Sequence, residues 1–329
     1  MPPDIQRDWR PTASVETLNK RGEIVWGIRE YFHELGFVEV QTPVLSHDTV
    51  IDRYIDPIRV MASELRCQSA GNDELFLQTS PEFGMKRLVA AGMSAIYQIG
   101  PVFRAEERGE HHNPEFTMVE WYRVGDDLES AVEFLSQLIC KILRHDRCDV
   151  VSYSMAFQQA VKIDPLSTSV DELAQTAIER GLPVECNFSA EKDTWLNLIF
   201  AELVQPQLGC QRPTIVTHYP ASQSALARIS KDQPGTAERF ELFVQGVELA
   251  NGYHELLNAD ELESRNRDGL RQRAFDGKLE LPSSSRLIEA MRCDMPACSG
   301  CALGLDRLVM VACGHTSIDR VIPFPIERA

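Results

Sequence analysis

Residues 103–122 constrain the fold of this chain more than any other stretch. Two β-prone runs, 95–104 and 116–124, flank a loop dense in charge that includes Glu106, Glu107, Arg108, Glu110, His111 and His112. A strand turns alternate side chains to one face, so Phe116, Met118, Glu120 and Tyr122 share a face of the second strand. An aromatic ring there is suited to stack on a base, while a carboxylate and a phenol further along suit an ammonium group. Arg104 ends the first strand with a planar fork that pairs bidentately with phosphoryl oxygens. A hairpin with a solvated, charged turn is the plainer reading of Arg-Glu-Glu-Arg. It is weakened by the carboxylates and the arginine lying inside the strand-like runs themselves.

The surrounding periodicities place this hairpin among helices. Ile24, Ile28, Phe32 and Leu35 line one side of a helix that Gly36 stops, followed by a strand, Phe37-Val38-Glu39-Val40, and by Gln41-Thr42-Pro43. Residues 75–79 read as a short strand, after which Ser80-Pro81-Glu82 has the order of N-cap, first-turn proline and acidic first-turn residue. That helix runs to about Gly92 with Met85, Leu88 and Val89 inward, and helix-dipole chemistry alone would explain Glu82. Residues 127–143 carry Leu128, Val132, Leu135, Leu138, Ile139 and Ile142 at helical spacing. Residues 153–209 give three more helical patterns, broken at Asp164-Pro165, Gly181-Leu182-Pro183 and Gln205-Pro206, with no chemistry standing out. Residues 239–244 and 247–251 flank Gln245-Gly246 as a hairpin. Residues 260–281 read as an exposed helix plus loop whose charges form a solvated face. Residues 299–304 are a small-residue strand leading into a helix that starts near Asp306, with Arg307 in its first turn, where a phosphate is favoured.

Composition narrows the classes. At 329 residues the chain can bury a substantial core. A net charge of −16 argues against a broad nucleic-acid surface, although solubility alone would also explain it. Nine scattered cysteines, no cleavable leader and no apolar run near the roughly 20 residues of a membrane span imply a cytoplasmic protein with reduced thiols and no membrane partner. Cys298 and Cys301 have the spacing of half a zinc knuckle, but no second pair follows, so structural zinc is not expected.

Residues 103–122 resemble motif 2 of the class II aminoacyl-tRNA synthetases in their lysyl branch; residues 21–45 resemble motif 1 and residues 299–308 motif 3. The resemblance covers 14–329 and implies an α+β fold, the class II catalytic core, with an antiparallel β-sheet flanked by helices and a helical insertion at about 153–209. Through motif 1 it implies a homodimer. A complete lysyl-tRNA synthetase carries an N-terminal OB-fold that reads the anticodon, and motif 1 begins here too early for one, so tRNA is not an expected partner. A core without that reader resembles the elongation factor P lysyltransferases. Residues 77–82, 112–122, 218–223, 246–256 and 298–304 match that family's characteristic stretches.

The reaction so implied has two steps. The carboxylate of (R)-β-lysine attacks the α-phosphorus of ATP, giving an aminoacyl adenylate and pyrophosphate. The ε-amine of a lysine on elongation factor P then attacks the acyl carbonyl and releases AMP. Carried over by resemblance, Arg104 holds the α-phosphate and Arg307 the γ-phosphate as the two catalytic groups, with Glu106 on the adenine amino group and Phe116 on its face. Ala105, His112, Asn113, Glu248, Leu249 and Gly304 complete the ATP site. Glu248 and Glu255 match the family's Mg²⁺ ligands; seven residues apart, they oppose one another across a straight strand, so a turn at Asn251-Gly252 is expected. Ser80, Pro81, Glu82, Glu120, Tyr122, Asn251, Glu255 and Ala302 form the amino-acid site. Ala302 stands where lysyl-tRNA synthetases carry glycine; its methyl favours a β-amino acid by about 1–3 kcal/mol and leaves weaker activity with α-lysine. The rival readings are a lysine adenylate former with another amine or tRNA as acceptor, an ammonia ligase of the asparagine synthetase kind, and a non-catalytic synthetase paralogue.

Overall fold

Ser14 accepts a hydrogen bond from Thr17 N at 3.1 Å and so caps the first helix, α1 (Val15–Glu34), one and a half turns before the expected motif 1 helix. The helix buries Ile24, Ile28, Tyr31 and Phe32 and ends where Gly36 takes a φ of 76°, a left-handed conformation that glycine adopts without strain. Leu35, expected on the buried side, is the C-cap and lies 46 % exposed; Tyr31 fills the inward position instead. The computed structural model describes residues 9–65, 74–184, 191–283 and 285–329.

After α1 come β1 (Val38–Glu39), β2 (Leu45–Ser46), β3 (Arg59–Met61), the short α2 (Ala62–Leu65), β4 (Glu74–Leu77), α3 (Glu82–Ala90), β5 (Ala95–Phe103) and β6 (Glu115–Val124). The cap of α3 falls one residue later than expected: Pro81 is the N-cap, and Ser80 Oγ instead accepts from Glu82 N at 3.1 Å. The chain continues through α4 (Leu128–Leu143), β7 (Asp149–Ser152), α5 (Tyr153–Ala160), α6 (Val170–Glu179), α7 (Lys192–Ile199), β8 (Thr214–Pro220), β9 (Thr236–Val244) and β10 (Val247–His254). It closes with α8 (Ala259–Phe275), α9 (Arg286–Met291), β11 (Cys298–Gly304) and α10 (Leu305–Ala312).

These elements form two compact units, Met1–Gly125 with Leu256–Ala329, and Asp126–Glu255. In the first, β5, β6 and β11 form antiparallel ladders and β1 runs parallel to β5 at the edge. Phe32 of α1 stacks on Tyr97 of β5, centroids 4.4 Å apart, and packs against Trp121 of β6, which fixes the helix over the sheet. In the second unit β10, β9 and β8 are antiparallel and β7 runs parallel to β8. Gln245 and Gly246, with φ of 53° and 75°, join β9 to β10 in the two-residue turn that suits the twist of a hairpin. Asp127 caps α4 through Ser130 N at 2.9 Å. The helices expected at 153–209 are α5 to α7, extended by a π-helical turn at Phe200–Val204 and a 3-10 turn at Gln205–Gln207; the part of that stretch at 185–190 lies outside the described residues. They bury Phe157, Leu173, Leu196 and Ile199 against Val216 of β8 and Phe243 of β9. Among the described residues no helix is long and apolar enough to cross a membrane.

Candidate active site

The register of three strands of the first unit sets one row of side chains. Gln98 of β5, Glu120 of β6 and Ala302 of β11 lie opposite one another, between the rows Ile96, Tyr122, Gly300 and Gly100, Met118, Gly304. Opposite residues project to the same face, so the Ala302 methyl stands beside the Glu120 side chain.

Glu120 is 1 % exposed. Ser80 Oγ donates to its Oε2 at 2.7 Å and Tyr122 Oη to its Oε1 at 2.6 Å, so both oxygens are fixed by hydroxyls. Glu82, at the start of α3, is buried with them and pairs with Lys86 one turn later. Lys86 is itself 3 % exposed, and its ammonium lies 5.9 Å from the centroid of the Tyr122 ring. Burial first, and then the charge of Glu82, pushes the Glu120 carboxyl up to about 7, against the hydroxyls of Tyr122 and Ser80 and the charge of Lys86. A cation entering this pocket opposes both causes. Lys86 was missed by sequence reasoning: its i,i+4 spacing from Glu82 is visible there, but only the fold shows that the pair is buried.

The side expected to take phosphate and base is less enclosed. Arg104 follows β5 with its guanidinium over the Phe116 ring, 5.1 Å from the centroid; Nε donates to Thr79 O at 3.4 Å, and Nη1 stands 3.5 Å from Glu107. Long contacts of this kind leave its donors available to phosphoryl oxygens. Ala105 N donates to Asp56 O at 2.7 Å, and the Asp56 carboxylate is held at 2.7 Å by both Arg273 and Lys278. Arg273 is 1 % exposed and also donates to Asp52 O and Ile55 O. The reading of residues 260–281 as a purely solvated charged face is therefore corrected: one of its arginines is buried and clamps the loop that backs Ala105. Glu106 is exposed and takes a left-handed φ of 63°.

Arg307, in the first turn of α10, donates to His111 O at 3.2 Å, and its Nη2 lies 2.6 Å from His112 Nε2. A guanidinium has only donors, so His112 accepts as the neutral ring. Burial first, and next the charge of Arg307, draws the His112 pKa below its ordinary value. Asn113 is buried, its amide spanning Glu115 O at 2.7 Å and Ile326 N at 3.1 Å, so it shapes the loop. Arg108 joins the same loop to Asp319 at 2.9 Å and Glu327 at 2.6 Å. Gly304 is the N-cap of α10, and the next residue but one, Asp306, pairs with Arg21 of α1 and accepts from Thr117 N at 2.6 Å. One buried carboxylate thus ties together the three stretches that resemble motifs 1, 2 and 3.

In the second unit Glu248, Leu249 and Asn251 lie on β10, and Glu255 follows it. The expected turn at Asn251-Gly252 is absent, because β10 continues unbroken through both residues to His254. The change of side comes instead from a β-bulge: Glu248 pairs with Phe243 and Ala250 with Leu242, leaving Leu249 as the extra residue. One added residue turns an odd spacing into an even one, so Glu248, Asn251 and Tyr253 share the face of Phe243, Glu241 and Arg239, and alternation carries Glu255 to it as well. Asn251 donates to Tyr253 Oη at 3.1 Å, while its Oδ1 is buried without a hydrogen-bond partner among the described residues. Among the described residues no three acidic, His or Cys side chains form a ready-made metal cage. Two carboxylates and an amide oxygen on one face fit Mg²⁺ completed by phosphate oxygens, since that ion prefers oxygen donors and rarely takes an all-protein site.

The family model described as tRNA synthetases class II (D, K and N) matches residues 6–328. Among curated relatives, proteins named elongation factor P–(R)-β-lysine ligase from Salmonella paratyphi A and Salmonella dublin are each 41 % identical to the chain over 324 residues, covering 98 % of this chain and 98 % of theirs. A relative of the same name from Salmonella heidelberg has the same identity and coverage.

Proposed function

The chain belongs to the class II tRNA synthetases (D, K and N), and from that footing we propose that it activates (R)-β-lysine with ATP and transfers it to a lysine ε-amine of elongation factor P. It is a ligase: the relatives it matches along nearly their whole length carry that name. The observation that carries the substrate choice is the buried Glu120, held by Ser80 and Tyr122 with Glu82 beside it. A carboxylate buried in this way gains strongly from an incoming ammonium and has nothing to offer a carboxylate side chain, which favours a lysine over aspartate.

In the first step the enzyme does little covalent work. Arg104 aligns the α-phosphate and stabilises the charge that grows on it as the amino-acid carboxylate attacks, and Phe116 stacks on the adenine while Glu106 accepts from its amino group. Arg307, steadied by His112, neutralises the terminal phosphate as pyrophosphate leaves. Ala105 and Gly304 give backbone approach, Asn113 keeps the loop shaped, and Ser80, Pro81, Glu82, Tyr122, Asn251, Glu255 and Ala302 orient the amino acid. Glu248 and Glu255 would hold Mg²⁺, with Leu249 displaced between them by the bulge; the ion supplies charge neutralisation to the triphosphate. In the second step the acceptor amine attacks the activated carbonyl, AMP leaves, and the amine's proton passes to solvent or phosphate.

Residues 14–329 work as one catalytic core, with the helices at about 153–209 as an insertion. The exposed side chains Trp26, Leu35 and Val38 on the motif 1 stretch support a homodimer. The enzyme acts in the cytoplasm with α-lysine as a weaker substrate, and the acidic surface supports a protein acceptor over tRNA. The test is the mass of purified elongation factor P after incubation with the enzyme, ATP, Mg²⁺ and either lysine isomer. A lysyl-sized gain, larger with (R)-β-lysine, is expected; an unchanged mass beside normal pyrophosphate exchange would reassign the acceptor.

A further inference from the structure

Three charged side chains are buried at one end of the β6 face: Glu82, Glu120 and Lys86. Ser80 ties the Glu120 carboxylate to the first turn of α3, donating from Oγ to Glu120 and accepting there from the backbone N of Glu82, and the Glu82 charge acts on Glu120. Two carboxylates this close, removed from water, cannot both remain charged without compensation. Tyr122 and Ser80 supply hydroxyl dipoles, and the only full positive charge among the described residues that the geometry brings to this group is the Lys86 ammonium, on Glu82 and near the Tyr122 ring. The pair sits at i,i+4 on α3, so the helix holds the lysine in register with the first-turn glutamate.

We infer that Lys86 is a positioning and specificity-determining residue of the amino-acid pocket: its ammonium orients the Glu82 carboxylate and supplies the single fixed positive charge that lets Glu82 and Glu120 stand side by side, ready for a diammonium amino acid. Once Glu120 is ionised, above about pH 7, two carboxylates and one lysine carry one net negative charge, which one substrate ammonium neutralises. A residue that merely filled space would do this equally well as methionine. The charge is what matters, because Lys86 is among the groups that oppose the upward shift of Glu120, whose charged neighbour in this unit is Glu82. The inference rests on the lysine-activating reading above.

The test is amino-acid-dependent pyrophosphate exchange across pH 5.5–8.5 for the wild type, Lys86→Met and Lys86→Arg, with KM measured separately for (R)-β-lysine and ATP. Lys86→Met is expected to raise the KM for (R)-β-lysine about tenfold at pH 7, to leave the KM for ATP within about twofold, and to move the acid limb of kcat/KM upward by about one pH unit, where one unit is a tenfold change. Lys86→Arg keeps the acid limb in place even where its activity falls, because it keeps the charge. An unmoved acid limb in Lys86→Met, or an equal rise in both KM values, overturns the assignment. A wild type that exchanges pyrophosphate with no lysine isomer overturns the parent reading instead, and the two failures are distinct.

Discussion

The proposed amino-acid pocket and the proposed nucleotide side of the first unit are built differently. In the pocket, Glu120, Ser80, Tyr122, Glu82 and Lys86 occupy one another through short contacts away from water. On the nucleotide side, Arg104 makes long contacts to Thr79 O and Glu107, and Arg307 leans on a neutral His112. A pocket that reads a small diammonium group needs fixed acceptors before the substrate arrives, since their reorganisation would consume binding energy. A site that grips a flexible, highly charged triphosphate needs donors that can leave their resting partners.

That contrast breaks most visibly at Arg307. Arg307→Ala should slow pyrophosphate exchange about 100- to 1,000-fold through kcat, with little change in the KM for (R)-β-lysine, as expected for a charge used chiefly in the transition state. Next is Glu120→Gln, expected to lower kcat/KM for (R)-β-lysine about 10- to 100-fold while sparing the KM for ATP, because a charged acceptor is lost from a buried pair. If both variants damage both substrates equally, the division into two regions fails.

The pH dependence sharpens the same point. The folded-state value of Glu120, about 7, lies above its ordinary value, so free enzyme holds a proton there below about pH 7 that an ammonium must displace. Affinity for (R)-β-lysine should therefore be level above pH 7 and fall up to tenfold per unit below it. Calorimetry at pH 6 in buffers of different ionisation enthalpy should show proton release on amino-acid binding and none attributable to this group on ATP binding. For stability the sign is opposite: this carboxyl's contribution is complete below about pH 4.5 and is lost as pH rises through about 7, so the unliganded pocket is least comfortable at the pH where it binds best.

Ala302→Gly tests the row shared with Glu120. Removing the methyl should move the preference about tenfold toward α-lysine, measured as the ratio of kcat/KM for the two isomers. The smallest effect is expected at Arg108, which bridges the motif 2 loop to Asp319 and Glu327 from an exposed position. Arg108→Ala should cost less than about 1 kcal/mol in a thermal melt, a loss that salt screens away, and raise the KM for ATP only a few-fold.

Much of this arrangement was legible in the sequence, where local pattern governs the outcome. The ends of β5 and β6, the helix α4, the Gln245-Gly246 turn and the start of α10 follow from alternation, helical spacing and turn chemistry that neighbouring residues decide among themselves. What escaped depends on partners far along the chain. The Glu248-Leu249 bulge is a one-residue event without a compositional mark, so the sequence points instead to the nearby Asn-Gly pair for the change of side. The burial of Lys86 and of Arg273, and the tie from Asp306 to Arg21 and Thr117, exist only once the fold has gathered their partners. Leu35 and Tyr31 exchanged places because the helix ended just before the residue that periodicity alone would have buried.

That the proposed pocket selects a lysine by its ammonium is tested by ATP–pyrophosphate exchange of the wild-type enzyme with (R)-β-lysine, α-lysine, norleucine and aspartate in parallel. Exchange is expected with both lysines, faster with the β isomer, and at background rates with norleucine and aspartate. Exchange driven by aspartate, or equal exchange with norleucine and lysine, would contradict that selection.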